Sequence, residues 1–372
     1  MSNKITEIPI SRPAFFGREI DEIEKTIKSG WIMQGPRVEE FENRVADYVG
    51  ARYAIAVSSG TTALHLALLS SGIQKGDEII VPSYSFIASA NSILYAGAKP
   101  EFVEIDPDTF NLDPDKIPQH ITKKTKAIMV VHQFGLSADM DRINKIADKY
   151  GLKIIEDAAC ALGSSYKNKK IGAISRIACF SFHPRKIITT GEGGIITTSS
   201  REMADKIRIL RSHGLKGNKG VMLGYNYRMT DLQAVIGISQ MKYLDRVICD
   251  RRKKANYYNS LIESTGYIEP PFIPPYAKTN FQSYVVKIKG VQAQKIRSAV
   301  EGLNKNGIHV KLANMAIHKQ PYYARKFGRK KLKITEYIAD IALSLPLFYG
   351  LSEKEQDLVV AMLTKYIPYG KK

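Results

Sequence analysis

Short apolar runs alternate with amphipathic stretches along the first two thirds of the chain. Such runs predict buried strands, and apolar residues at helical spacing predict the helices that cover them. The predicted strands are residues 53–57, 78–81, 99–103, 127–131, 153–156, 178–181 and 194–198. The predicted helices between them are residues 61–71, 87–95, 139–150 and 202–212. This alternation predicts an α/β protein with a largely parallel sheet.

The hydrophobic pattern changes after residue 263. A longer helical stretch, 231–263, is followed by a Pro-rich segment, 269–275, which is typical of a linker or boundary. Beyond it the pattern predicts a strand at 283–288, a helix at 292–306, a strand at 308–311 and terminal helices. We therefore expect a large domain at 1–263, including a helical N-terminal segment, and a smaller α+β domain at 264–372.

The composition is that of an ordinary globular protein. Of the 372 residues, 44% are hydrophobic and 24% are charged. The polar start of the chain lacks the apolar core of a signal peptide, and no apolar run is long enough to span a membrane. Cys160, Cys179 and Cys249 are odd in number and lack metal-ligand spacing. We expect a cytoplasmic protein without disulfides, a metal site or a membrane partner.

The formal net charge is +19, which raises the question of nucleic-acid binding. The basic residues are spread along the chain, and the densest runs are 251–254, 325–333 and Lys371–Lys372. This spread favours solvated faces over a nucleic-acid surface. A general attraction for anionic, phosphorylated small molecules is the expected consequence.

The sequence SSGTT, at residues 58–62, lies at a strand-to-helix turn. Backbone N–H groups, hydroxyls and the helix dipole make such a turn suitable for phosphate. Ser59 or Thr61 could equally serve as a simple N-cap. The chain has neither a GxGxxG nor a Walker sequence here, so a dinucleotide fold and an NTPase are not favoured.

Two further strand ends carry candidate residues. In VPSYSF, Tyr84 and Phe86 follow a strand, where an aromatic side chain could stack on a flat heterocycle or belong to the core. In KIIEDAA, Asp157 follows a buried strand. Its carboxylate could cap the next helix, or it could pair with the pyridine nitrogen of pyridoxal 5'-phosphate (PLP).

The segment CFSFHPRKIITTGEGG carries the strongest candidate for chemistry. Lys186 lies shortly after a strand end, beside Ile187 and Ile188 and before a Gly-rich turn. Ser181, which precedes it, could bind phosphate. Most lysines are solvated surface charges, but desolvation and nearby positive charge favour a neutral amine. A neutral amine can form a Schiff base with an aldehyde.

These motifs, in this order, resemble the DegT/StrS-type PLP-dependent sugar aminotransferases, which have the aspartate-aminotransferase fold (fold type I). The resemblance covers nearly the whole chain, through SSGTTALHLAL, VPSYSFIASAN, IIEDAACALGSSY, FSFHPRKIITTGEGG and GYNYRMTDLQAVIG. It implies a three-layer α/β/α large domain with a mainly parallel mixed sheet, a smaller α+β C-terminal domain, and a homodimer with shared active sites. It also implies transfer of an amino group from glutamate to a keto-sugar. SGWIMQGP and TTGEGG are similar to enzymes that act on nucleotide-linked 4-keto-6-deoxy sugars.

The resemblance also implies roles for individual residues. Lys186 resembles the Schiff-base lysine, and Asp157 resembles the partner of the pyridine nitrogen. The other implied cofactor-binding positions are Ser59, Gly60, Thr61 and Ser181 at the phosphate, Phe86 on the ring, Cys160 near the phenolic oxygen, and Asn226, which reaches the phosphate in the neighbouring subunit.

Position 160 departs from the family pattern, because many members have Gln where this chain has Cys160. A thiol is a weak donor, so a neighbour or water replaces the contact or the electronics of the ring differ. Some relatives have His in place of the lysine and catalyse dehydration, and Lys186 argues against that activity. A sugar 3-dehydratase, an inositol-ketone aminotransferase and a regulatory homologue without turnover are the alternatives on this fold.

Three further residues are candidates for binding the substrate. His183 could lie near the sugar or the cofactor, or it could be structural. Arg228 could meet the diphosphate or form a surface salt bridge. His318, in IHKQPYY, matches a family segment near the sugar site.

Overall fold

The computed structural model describes residues 7–367, and the basic pair Lys371–Lys372 lies outside the described residues. The strands are β1 (Tyr53–Val57), β2 (Glu78–Pro82), β3 (Tyr84–Ser85), β4 (Lys99–Val103), β5 (Thr125–Val131), β6 (Lys153–Asp157), β7 (Ser165–Tyr166), β8 (Lys169–Lys170), β9 (Ile177–Ser181), β10 (Gly194–Thr198), β11 (Leu215–Lys216), β12 (Lys219–Gly220), β13 (Ile268–Glu269), β14 (Ala277–Lys278), β15 (Tyr284–Ile288), β16 (Lys311–Leu312), β17 (Met315–Ala316) and β18 (Ala342–Leu345). The α-helices are α1 (Arg18–Lys28), α2 (Pro36–Val49), α3 (Gly60–Ser70), α4 (Ile87–Tyr95), α5 (Met140–Tyr150), α6 (Arg201–Arg211), α7 (Asp231–Met241), α8 (Leu244–Glu263), α9 (Ala293–Lys305), α10 (Pro321–Phe327), α11 (Lys333–Ile341) and α12 (Glu353–Tyr366).

A seven-stranded sheet with the order β1-β10-β9-β6-β5-β2-β4 forms the centre of the larger part. Its strands are parallel except β10, which is antiparallel to both neighbours. Side chains of a strand alternate between the two faces of a sheet. Ala54 and Ala56 of β1 therefore lie on the face that α2, α5 and α7 cover, whereas Ile55 and Val57 lie on the face that α3, α4 and α6 cover. The predicted three-layer α/β/α fold with a mainly parallel mixed sheet is confirmed.

A four-stranded antiparallel sheet with the order β13-β15-β18-β16 forms the smaller part, together with α9, α11 and α12. The sequence did not predict β18, which begins directly after α11 without a Gly or Pro between them. The strand predicted at 308–311 was largely wrong. Ile308 forms a parallel bridge with Ile8 instead, and β16 starts only at Lys311.

The helical stretch predicted at 231–263 consists of two helices, α7 and α8. Leu244 and Val247 of α8 pack in the core of the large sheet, whereas Tyr258 and Ile262 pack in the core of the small sheet. Within residues 7–367, no helix combines the length and the hydrophobicity that crossing a membrane requires. Because α8 joins both cores, the domain boundary after residue 263 stays a prediction.

The parallel strands bring their carboxyl ends to one edge of the large sheet. His132 follows β5, Asp157 ends β6 and Ser181 ends β9. Ser59, which precedes α3, follows β1 at the same edge. This edge is where open α/β sheets bind ligands.

Candidate active site

A cavity of about 700 Å³ opens at this edge, between the large sheet and strands β16 and β18 of the small sheet. It is large enough for a cofactor together with a substrate. The structure brings most of the predicted site residues into its wall: Ser59, Gly60, Thr61, Phe86, Asp157, Cys160, Ser181, His183 and Lys186.

Lys186 is half-buried in the wall, and its Nζ donates to Sγ of Cys160 over 3.1 Å. The backbone on both sides of this lysine is held by one residue. Gln282 accepts from the N–H of Ile187 at 2.9 Å and donates to the carbonyl of Arg185 at 2.5 Å. The segment that carries the amine is therefore fixed from the small part of the molecule.

Asp157 is buried at the end of β6, with 5% of its surface exposed. Its Oδ2 accepts from the hydroxyl of Ser89 at 2.7 Å, and its Oδ1 accepts from the N–H of Ala159 at 3.2 Å. Burial raises the pKa of Asp157, and these two hydrogen bonds oppose the rise only in part. A buried carboxylate in a cavity wall favours a ligand with a cationic N–H group, and a pyridinium nitrogen fits that requirement.

The turn before α3 is both a helix cap and an anion site. Ser59 Oγ accepts from the N–H of Thr62 at 3.2 Å, and Thr62 Oγ1 accepts from the N–H of Ser59 at 3.0 Å. Within residues 7–367, the N–H groups of Gly60 and Thr61 have no acceptor. A Cβ on Gly60 would lie 2.8 Å from Cβ of Ser181, so only glycine allows this close approach. The turn therefore presents free N–H groups and a neighbouring hydroxyl to an oxyanion, as a phosphate group requires.

The two aromatic residues of VPSYSF lie in different environments. Tyr84 is fully buried in the core shared with the small sheet. Phe86 is 63% exposed and lines the cavity. Phe86 is therefore the one of the two that is available to stack on a flat ring, and together with the buried carboxylate and the phosphate turn it fits PLP.

His132 is a wall residue that the sequence analysis missed. Its Nδ1 accepts from the N–H of Ala138 at 3.2 Å, so its Nε2 carries the proton that is donated to Glu156 at 2.7 Å. Both side chains of this pair are fully buried. A signal existed, because His132 directly follows a parallel strand and so lies at the same sheet edge as Asp157 and Ser181, which end their strands.

Two basic residues that were not predicted, Arg185 and Lys311, also line the cavity. Within the part of the chain that the structure describes, neither side chain forms a salt bridge, although the carboxylate of Glu192 lies in the same wall. Burial, followed by the positive charges of Arg185 and Lys186, lowers the pKa of Lys311. The pKa of His183 is lowered chiefly by burial. This part of the wall is suited to an anionic group.

Three predicted site residues lie outside the cavity wall. His318 is buried, with Nδ1 2.6 Å from the hydroxyl of Ser83 and Nε2 3.2 Å from the carboxylate of Glu336. Asn226 is exposed, and Arg228 is half-buried. The structure of one chain does not bring these residues to the lysine, and their roles stay predictions.

Comparison with known proteins gives one family. The model of the DegT/DnrJ/EryC1/StrS aminotransferase family matches residues 16–364. The GDP-perosamine synthase of Caulobacter vibrioides is 39% identical over 368 residues, which are 98% of this chain and 99% of that protein. Helicobacter pylori PseC, an aminotransferase involved in the biosynthesis of pseudoaminic acid, superposes with a TM-score of 0.93 at 28% identity and covers 97% of this chain and 99% of its own. NtdA from Bacillus subtilis, solved with bound cofactor PMP, superposes with a TM-score of 0.86 at 33% identity. The match covers 95% of this chain and 83% of NtdA.

Proposed function

We propose that this chain, which belongs to the DegT/DnrJ/EryC1/StrS aminotransferase family, transfers an amino group from glutamate to a nucleotide-linked 4-keto-6-deoxy sugar. Membership of the family makes it a PLP-dependent aminotransferase, and its relatives are sugar aminotransferases. The donor, the nucleotide and the sugar are the proposed part. The observation that carries the proposal is the convergence of Lys186, Asp157 and the turn before α3 on one cavity.

In this proposal, different wall residues bind different parts of the cofactor. The N–H groups of Gly60 and Thr61, with the hydroxyl of Ser181, hold the phosphate. Phe86 would lie against the ring, and the carboxylate of Asp157 would stabilise a proton on the pyridine nitrogen. When bound, PLP supplies an electron sink for the carbon that carries the amino group.

Lys186 has two tasks in this proposal. Its Nζ would hold the cofactor in the resting enzyme, and the same atom would carry the proton during the transfer. As a free amine, Nζ of Lys186 would accept a proton, and as the ammonium it would donate that proton again. In the structure, where the amine is free, Nζ lies in the cavity wall and donates to Sγ of Cys160 at 3.1 Å.

We assign substrate binding to the cationic side chains in the cavity wall. Arg185 and Lys311 can bind the carboxylates of glutamate in the first half of the reaction and a diphosphate in the second half, because both ligands are anions. His183 lies in the same wall and is proposed to contact the sugar. A relative is named for GDP-perosamine, which supports a nucleotide-linked sugar as the acceptor.

We further propose a homodimer in which Asn226 reaches the cofactor phosphate of the partner. Asn226 is exposed on one chain, as this role requires. Large apolar side chains are also exposed, among them Trp31 (54%), Met33 (57%) and Leu223 (83%). Contact with a second copy of the chain would remove apolar surface of this kind from water. The three cysteines are free, which suits a reducing compartment such as the cytoplasm.

The test is glutamate-dependent turnover of a panel of 4-keto-6-deoxy sugars linked to GDP, UDP or dTDP. The proposal predicts that 2-oxoglutarate and an amino-sugar nucleotide form in equal amounts with at least one member of the panel. The Lys186→Ala variant is the matched control and should form neither. Loss of a sugar hydroxyl without consumption of glutamate would favour the dehydratase alternative. Amination of an inositol ketone, and of no sugar nucleotide, would show that the acceptor is an inositol ketone.

A further inference from the structure

Cys160 and Lys186 are two nucleophiles in direct contact. Sγ and Nζ are 3.1 Å apart, and both side chains are half-buried in the wall of the cavity. The other cysteines have different surroundings: Cys179 is buried within β9, and Cys249 is exposed on α8. Among the described residues, the reactive neighbour of the Cys160 thiol is therefore an amine.

The geometry of this pair is fixed from both sides. Gln282 bonds the backbone on each side of Lys186, at 2.9 and 2.5 Å. Asn280 donates to the carbonyl of Cys160 at 2.9 Å. The backbone segments that carry the two reactive side chains are thus held near each other, and reaction between groups placed in this way is strongly favoured over reaction with a molecule from solution.

We infer that Cys160 and Lys186 form a reversible covalent link, a sulfenamide, when the chain meets a peroxide while Lys186 is not bonded to the cofactor. Peroxide first transfers one oxygen to the thiol, which gives a sulfenic acid and one water. The neutral amine of Lys186 then attacks the sulfur. An S–N bond forms, the S–O bond breaks, and the hydroxyl leaves with an amine proton as a second water. One peroxide is reduced, and the protein loses two hydrogen atoms.

The link removes the amine on which the proposed reaction depends, so the oxidised enzyme is inactive. It also protects Cys160 from irreversible oxidation to the sulfinic acid. A small thiol reverses it. The thiol attacks the sulfur, Lys186 leaves as a free amine, and a second thiol releases Cys160 from the mixed disulfide. The inference rests on the proposed function only for the loss of activity, since the link itself needs no substrate.

The experiment compares two forms of the holoenzyme. Enzyme loaded with pyridoxamine phosphate, in which Lys186 is free, and enzyme loaded with PLP are treated with hydrogen peroxide and measured by intact mass and peptide mapping. The inference predicts that the first form becomes lighter by two hydrogen atoms, with the peptides of Cys160 and Lys186 joined. The PLP form should stay unlinked. Dithiothreitol should restore both the mass and the activity of the linked form.

Three variants make the result specific. Cys160→Ala should abolish the link, whereas Cys249→Ala, a surface cysteine, should form it normally. Lys186→Arg should leave oxygen on Cys160 without any link. The inference is overturned if peroxide adds oxygen to Cys160 in the native pyridoxamine form while the Lys186 peptide stays free. Because the link is detected by mass, its test does not depend on turnover of the sugar panel. Either result can be obtained whether or not a sugar of the panel is aminated.

Discussion

The hydroxyl of Ser89 donates to Oδ2 of Asp157 over 2.7 Å, in a fully buried part of the cavity wall. This bond stabilises the ionised carboxylate and opposes the rise in its pKa that burial causes. Ser89→Ala should therefore raise the pKa of Asp157 further. We expect kcat to fall by about tenfold, which matches the loss of one hydrogen bond to a charged group.

The pH profile of kcat gives the direct measurement for Ser89→Ala. Because Asp157 acts as a carboxylate, the acidic limb of the profile should move to higher pH. Ser92→Ala is the matched control, since among residues 7–367 the Ser92 hydroxyl bonds only its own helix, at the carbonyl of Ser89, 2.9 Å away. An unchanged acidic limb in Ser89→Ala would show that this bond does not tune Asp157.

Asp157→Asn should make the cofactor-free chain more stable at neutral pH. Burial raises the pKa of Asp157 above its ordinary value of 3.8, so the folded chain binds the proton more tightly than the unfolded chain. The free energy of unfolding therefore falls as pH rises from 3.8 to the raised pKa, and the penalty is complete above it. Asparagine carries no such penalty. We expect a gain on the order of 1 kcal/mol, measured by thermal unfolding, that shrinks towards acidic pH.

The same substitution at an exposed aspartate serves as the control. Lys167 lowers the pKa of Asp141, so Asp141→Asn should reduce the melting temperature and not raise it. A gain in Asp157→Asn that does not depend on pH would contradict the assignment of the effect to the buried carboxylate. The activity of Asp157→Asn should fall by roughly a hundredfold or more, the loss expected when one electrostatic group of an active site is removed.

Gly60→Ala should weaken cofactor binding. The added Cβ would lie 2.8 Å from Cβ of Ser181, so the turn or the serine must move away from the phosphate position. Overpacking costs about 1–3 kcal/mol, which predicts a dissociation constant for PLP that is higher by roughly tenfold to a hundredfold. Gly220→Ala is the control, because a Cβ there meets nothing within 4 Å. Equal affinities for PLP in Gly60→Ala and Gly220→Ala would show that this turn does not bind the phosphate.

Lys311→Met should raise KM for an anionic substrate while changing kcat little. Methionine keeps most of the apolar stem but removes the charge that faces the cavity beside Arg185. We expect an increase in KM of about tenfold, the lower end of the effect of a charge-assisted hydrogen bond. Lys331→Met, at an exposed position outside the wall, is the control. A KM equal to that of the native enzyme would exclude Lys311 from substrate binding.

The sequence predicted the large sheet well, because its strands are short apolar runs separated by recognisable helices and turns. The strands β1, β4 and β10 have the predicted bounds. The break between α7 and α8 was missed, since no Gly or Pro marks it. The antiparallel direction of β10 could not be predicted either, because an apolar run does not show which way a strand runs.

The sequence likewise predicted some residues of the candidate site and missed others. Lys186, Asp157 and the turn before α3 were predicted because each lies at or shortly after the carboxyl end of a strand of the large sheet. Lys311 was missed, since it reaches the cavity only through the pairing of β16 with β18, which the local pattern does not reveal. The burial of His318 between Ser83 and Glu336 likewise depends on contacts between distant parts of the chain.

The central claim is that the nitrogen of Lys186 is the atom that bonds the cofactor. Borohydride reduction of the enzyme loaded with PLP, followed by peptide mass mapping, tests it directly. The account predicts a single reduced pyridoxyl group, located on Lys186, and none in Lys186→Ala treated in the same way. A reduced enzyme in which Lys186 is unmodified and another lysine carries the group would contradict the account.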